Sequence, residues 1–157
     1  MSNLFIHLDC VPPTATAQQK GERIVKLKSG RSFISHYKKK PVMEAQKLFC
    51  GLLTPFIPPS PITGPVIVEA QWVFPWRASE RKGTIREFQR IPKDTKPDVD
   101  NSNKLLLDCL TQLGIWEDDS QAYRLILDKY WGDKPGIYLK LTYGESLPAM
   151  PRREVML

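Results

Sequence analysis

Soft metal ligands are scarce in this sequence. Among 157 residues there are three cysteines and two histidines. Cys10, Cys50 and Cys109 are odd in number, far apart in the chain and free of any CxxC pair. That excludes a disulfide framework and a zinc motif, and leaves reduced, mostly buried thiols. His7 and His36 have no second histidine or cysteine at ligand spacing, so histidine chemistry is not expected. No apolar run approaches the ~18 residues of a membrane span. The opening "MSNLFIHLDCVPP" lacks the basic start and unbroken apolar run of a signal peptide. The expected location is the cytoplasm. There are no internal repeats. Acidic charge is also in short supply, with 17 Asp and Glu against 23 Lys and Arg, for a formal net charge of +6.

What is present fits one folded domain. Hydrophobic residues make up 41%, enough for a core and too many for a disordered chain. A pI of about 9.3 favours an anionic partner. The basic charge is clustered. From Lys20 to Lys40 eight basic residues accompany one acidic, and from Arg77 to Pro97 seven accompany three. Lys26, Lys28, Arg31, Lys38, Lys39 and Lys40 in the first cluster are candidate phosphate contacts. Arg81, Lys82, Arg86, Arg90, Lys93 and Lys96 are their counterparts in the second. Basic faces on small proteins are often only solvated, so composition alone does not assign nucleic acid.

Local patterning predicts the elements. "LFIHLD" has strand composition and "VPP" stops it. "RIVKLKSGRSFISH" reads as a hairpin turning at Ser29-Gly30. "PVMEAQKLFCGLL" reads as a helix, with Pro41 at its first position and Val42, Ala45, Leu48, Phe49 and Leu52 at helical spacing. "TPFIPPSPITGP" is a stiff connector. "VIVEAQWVFPW" is the strongest strand signal. A polar, basic loop of about twenty residues follows, and loops of that length tend to be functional. "DNSNKLLLDCLTQLG" is the second helix, capped by Asp100 or Asn101 and ended by Gly114. Leu106, Cys109, Leu110 and Leu113 line one of its faces. "AYRLILDKYW" and "GIYLKLTYG" are the last strands. The expected fold is α+β, a single-domain two-layer sandwich with a mixed β-sheet and two main helices on one face. The domain is expected over 1–143, with a flexible C-terminal tail over 144–157.

Against the basic background, "KPDVDNSNKLLLDCLTQLGIWEDD" holds five aspartates between Lys96 and Asp119. On an extended segment Asp98 and Asp100 project to the same side. Paired carboxylates repel unless protonated or bridged by a cation. Oxygen-only ligands suit magnesium or manganese. The plain alternative is an aspartate in a turn followed by one at a helix start. Lys104, four residues beyond Asp100, opposes the positive end of the helix dipole, which a bound phosphate would explain and a pairing with Asp100 would also explain. A glycine-capped helix followed by a six-residue return brings Asp118 and Asp119 within reach of Asp98 and Asp100, and adjacent acids point apart, so one of the pair is the ligand. Asp108 falls elsewhere on the helix and reads as structural.

The string Asp98-Val-Asp100-Asn101-Ser-Asn-Lys104, a leucine-rich helix, then Gly114-Ile115-Trp116-Glu117-Asp118-Asp119 resembles the RusA family of Holliday-junction resolvases. The likeness runs from about Lys96 to Tyr143, with a weaker echo in the Pro-Pro turn after the first strand. The resemblance implies a RusA-like endonuclease domain with Asp98, Asp100 and Asp119 as Mg2+ ligands, Mn2+ able to substitute, and Lys104 as the catalytic lysine. Asn101 and Asp118 would support that set. It also implies a homodimer that nicks a four-way DNA junction symmetrically in recombination and repair, in a bacterial or phage-infected cell, with no membrane partner. This chain departs from the pattern in having Lys96-Pro97 before the aspartates and a longer preceding loop.

Three other readings use the same residues. A DNA-structure-binding protein would keep the basic surface and have merely structural carboxylates. A nucleotide-sugar transferase would use the DxD for its metal, but the chain has no Gly-rich turn after a strand and no room for two nucleotide-binding halves. A restriction-type nuclease would place its lysine on a strand, whereas Lys104 is expected on a helix.

Overall fold

A computed structural model describes residues 1–145. The expected tail, apart from its first two residues, lies outside the described residues. The main sheet has five strands: β1 (Ser2–Leu8), β4 (Val66–Pro75), β5 (Arg90–Pro92), β6 (Ala122–Gly132) and β7 (Gly136–Tyr143). Their spatial order is β1-β7-β4-β6-β5. β4 and β6 run parallel, and every other neighbouring pair is antiparallel. A second sheet is the hairpin of β2 (Lys20–Lys26) and β3 (Ser32–Lys38). Gly30, at φ 83°, occupies its turn.

Helices α1 (Lys40–Leu53) and α3 (Val99–Gln112) cover one face of the main sheet, as the α+β reading requires. Alternate residues of β4, Val66, Val68, Ala70, Trp72 and Phe74, point into a single core. Ile6 and Leu8 of β1 and Ile137, Leu139 and Leu141 of β7 join them. From α1 come Val42, Ala45, Phe49 and Leu53, and from α3 Leu105, Leu106, Cys109 and Leu110. Leu48, expected on the buried stripe of α1, is exposed. The Cys109 thiol lies where the two helices meet. Burial, then the adjacent Cys50, pushes its pKa upward, and both cysteines are free thiols. No helix among the described residues is long and apolar enough to cross a membrane.

The long basic loop is more ordered than its lack of periodicity predicts. It contains α2 (Lys82–Glu87) and the short strand β5. α2 buries none of its residues, so it left no apolar stripe to read. β5 is three residues long and is held by its pairing to β6, a tertiary contact that local sequence does not report.

The end of α3 is set locally. Gly114 has φ 68°. Its N–H bonds the Thr111 carbonyl and the Ile115 N–H bonds the Leu110 carbonyl, both at 3.0 Å. This paired pattern is a Schellman cap, with Ile115 and Leu110 both in the core. A Cβ at Gly114 would meet nothing within 4 Å, so its requirement is conformational and not steric. Gly114→Ala should therefore cost about 1 kcal/mol, the penalty of a left-handed L-residue, measured as a lowered midpoint in urea unfolding.

Candidate active site

The site is built around the start of α3 and the turn that precedes β6. Asp98, and not Asp100 or Asn101, occupies the N-cap position of α3, and its side chain makes no capping hydrogen bond. An aspartate there ordinarily bonds a first-turn N–H. Here the exposed carboxylate is left uncommitted. Asp100 is exposed in the first turn, and Lys104 is exposed one turn on. The Lys104 ammonium lies 3.9 Å from Asp108 and not beside Asp100. With both partners largely solvated, that contact contributes a few tenths of a kcal/mol at most.

The acidic turn is anchored from several sides. Trp116 is fully buried and its indole N–H donates to the Thr111 hydroxyl at 2.7 Å. Ile62 forms a bridge with Trp116, and its N–H donates to the Ile115 carbonyl at 2.9 Å. Gln121 accepts from the N–H groups of Glu117 and Asp118, and donates to the carbonyls of Ile62 and Gly64. Asp118 accepts from the Ser120 N–H at 2.9 Å, closing a capping box. Hydrogen bonding from the Ser120 side chain, then from its backbone N–H, holds the Asp118 carboxyl below the usual carboxylate range. The geometry separates the two adjacent acids. Asp118 is spent on the turn, and Asp119 faces a cavity.

That cavity, of about 290 Å³, is lined by Asp100, Asn103, Lys104 and Asp119 on its polar side. Leu107, Ala122, Leu125 and Leu127 form the apolar side. Asp98 opens instead into a neighbouring polar cleft of about 520 Å³, with Asn101, Lys96 and the segment of Thr14, Thr16, Gln18 and Gln19. The fold thus brings Asp100, Lys104 and Asp119 to one cavity and sets Asp98 and Asn101 in the next. Among the described residues no three His, Cys, Asp or Glu side chains converge on one point. The available donors are nevertheless the hard oxygens that magnesium takes. The amide of Asn103 is buried, with neither its oxygen nor its nitrogen hydrogen-bonded among the described residues. Such a group costs roughly 1–3 kcal/mol when left unpaired, so the cavity fits a polar guest.

Two lysines fix the approach to Asp98. The Lys93 ammonium is buried and donates to the Thr95 hydroxyl and to the carbonyls of Thr95 and Lys96. It lies 4.1 Å from the centre of the Trp131 ring and 5.2 Å from that of Phe74. Burial, then the neighbouring Lys129 charge, holds its pKa below the ordinary lysine range. Lys129 donates to the carbonyls of Thr95 and Pro97. Residues 95–97 are thereby clamped by the residue that follows β5 and by one within β6.

The expected phosphate contacts therefore divide. Lys26, Lys28, Arg31, Lys38, Lys39, Lys40, Arg81, Lys82, Arg86 and Lys96 are exposed. Lys93 is committed to the clamp. Arg90 is half-buried, bonded to Gln71 at 2.9 Å and stacked between the rings of Tyr130 and Tyr138. Sequence reading missed the clamp because its acceptors are backbone carbonyls. It also passed over Asn103, although Asp100, Asn103, Lys104 and Leu107 recur at i, i+3, i+4 and i+7, the spacing of one helix face.

Comparison with known proteins bears on the same segment. The family model for endodeoxyribonuclease RusA matches residues 10–142. YqaN of Bacillus subtilis (strain 168), itself an uncharacterized protein, is 34% identical over 84 residues, which is 51% of this chain and 58% of YqaN. The matched part thus spans less than two thirds of that relative.

The clamp gives a direct test. Lys93→Met strands the Lys96 carbonyl and the Thr95 hydroxyl, while Lys129 still bonds the Thr95 carbonyl, and should cost about 1–3 kcal/mol in urea unfolding. Lys82→Met on the exposed α2 should change stability by less than about 0.5 kcal/mol.

Proposed function

Since the chain belongs to the RusA endodeoxyribonuclease family, we propose that it is a magnesium-dependent endodeoxyribonuclease that resolves four-way DNA junctions by paired symmetric nicks in recombination and repair. The observation that carries this reading is the convergence of Asp100, Lys104 and Asp119 on one cavity beside the cleft that Asp98 enters. Asp100 and Asp119, together with Asp98 from the neighbouring cleft, would hold the ion, and Mn2+ would substitute. The chemistry such an ion supplies when bound is charge neutralisation at phosphoryl oxygens and a lower pKa for an attacking water.

The chain's own residues do the rest. Lys104 places a compact ammonium against the phosphoryl or leaving oxygen, where charge grows as the P–O bond breaks. The Lys93 and Lys129 clamp keeps Asp98 from moving with the loop. Asp118 and Gln121 hold Asp119 in place. Arg81, Lys82, Arg86 and the hairpin lysines meet flanking phosphates. Two nicks related by symmetry ask for a homodimer, whose two-fold axis matches that of the junction. The alternative, a DNA-structure-binding protein with structural carboxylates, shares the basic surface and lacks the cleavage.

A synthetic four-way junction with magnesium separates them. Cleavage by the wild type and its loss in Asp98→Asn, Asp100→Asn and Asp119→Asn, with junction binding retained, is the expected result. Asp118→Asn should be milder. Intact junctions after incubation with the wild type would leave only the binding reading.

Lys104→Ala should slow single-turnover cleavage by about 10²–10³, as for loss of one preorganised donor, with junction affinity little changed. A rate near that of the wild type would make Lys104 a surface residue. Neutralising Arg81, Lys82 and Arg86 should lower the salt-dependence slope of binding by about 0.9 per lost contact.

A further inference from the structure

Asn103 departs from the helix around it. The next three residues, Leu105, Leu106 and Leu107 after the exposed Lys104, are buried apolar side chains. Asn103 is itself 1% exposed, yet neither atom of its amide has a hydrogen-bond partner among the described residues. Leucine has the same branched side-chain skeleton and would suit the wall formed by Leu107, Leu125 and Leu127. The packing alone gives no reason for an amide.

The cavity gives one. Asp100 and Asn103 are three apart, so they lie side by side on the helix surface. Both line the cavity that Asp119 enters from the turn before β6. We propose that Asn103 is a ligand of the divalent cation, its Oδ1 joining the carboxylates of Asp100 and Asp119 as the third protein oxygen in this cavity. The inference rests on the metal-dependent reading above. It goes beyond that reading by adding an amide oxygen to the carboxylates, on the side of the site that Asp98 does not line.

Amide and carboxylate oxygens are the hard donors that magnesium and manganese prefer. An acceptor buried beside two carboxylates finds its partner in a cation and not in those neighbours. A third carboxylate in a leucine-walled cavity would add repulsion that favours protonation. An amide supplies the oxygen without the charge. Its NH2 then remains free to donate to a phosphate oxygen or to one of the two carboxylates.

The test uses the full chain and Mn2+ as probe, with affinity read by calorimetry and melting followed with and without the ion. Wild type should bind Mn2+ and melt at a higher temperature when loaded. Asn103→Leu should weaken Mn2+ binding at least tenfold, lose the ion-induced shift and melt no lower than the wild type without metal. Asn103→Asp should bind Mn2+ as tightly as the wild type or more tightly. Less than a tenfold loss in Asn103→Leu overturns the assignment while leaving the metal-dependent reading intact. Should Asn103→Leu fail to fold, weaker binding by Asn103→Asp overturns it. A wild type that binds no Mn2+ removes the metal reading and this inference together.

Discussion

The parallel pairing of β4 with β6 is the constraint on which the site depends. Two neighbouring parallel strands cannot be joined by a tight turn, so the chain must cross over the sheet and return. In this protein the crossover carries α2, β5 and α3 between Pro75 and Ala122. Every candidate catalytic side chain belongs to it. Burial of Leu105, Leu106, Cys109 and Leu110 against the sheet holds α3 in place. Asp98, Asp100 and Lys104 are then set by one end of that helix, and Asp119 by the turn that restores the chain to β6.

Several local rules are broken at this one place. An N-cap aspartate makes no cap bond. A lysine sits near the positive end of a helix, where it is electrostatically disfavoured. A buried amide has no partner among the described residues. Each departure costs stability, and each involves a group facing one of two adjoining cavities. The surrounding structure offsets them with an unusually complete set of anchors: the Schellman cap at Gly114, the Trp116 indole on Thr111, the Gln121 bonds across to Ile62 and Gly64, and the two-lysine clamp on residues 95–97. Local conflict at a site is an expected signature of function, although the buried Trp72 and Trp131 indole N–H groups and the Ser102 hydroxyl are also without partners among the described residues.

The basic surface is also sorted by the fold. Twelve lysines and arginines looked equivalent as contacts for an anionic partner in the linear sequence. Lys93 and Arg90 are drawn inward because Phe74, Trp131, Tyr130 and Tyr138 offer their rings to cations, and Gln71, Thr95 and Lys96 offer oxygens. The positions that remain exposed lie on α2, on Lys96 and on the hairpin with the basic run behind it.

The sequence by itself determined what is local. Periodicity placed α1 and α3, β-branched runs placed β1, β4, β6 and β7, and Gly30 and Gly114 marked left-handed turns, because each depends on residues within a few positions. The D-x-D-N-x-x-K string and the terminal D-D named the acidic residues and the lysine, since their spacing is written in the chain. Tertiary structure decided the rest. It decided that β5 exists, because three residues become a strand only when β6 supplies partners. It separated Asp118 from Asp119, because Ser120 and Gln121 engage one and leave the other free. It split Asp98 from Asp100, which helix geometry and the packing of residues 14–19 direct to different cavities. It also exposed the unpaired amide of Asn103, since whether a polar side chain has a partner is a property of everything packed around it.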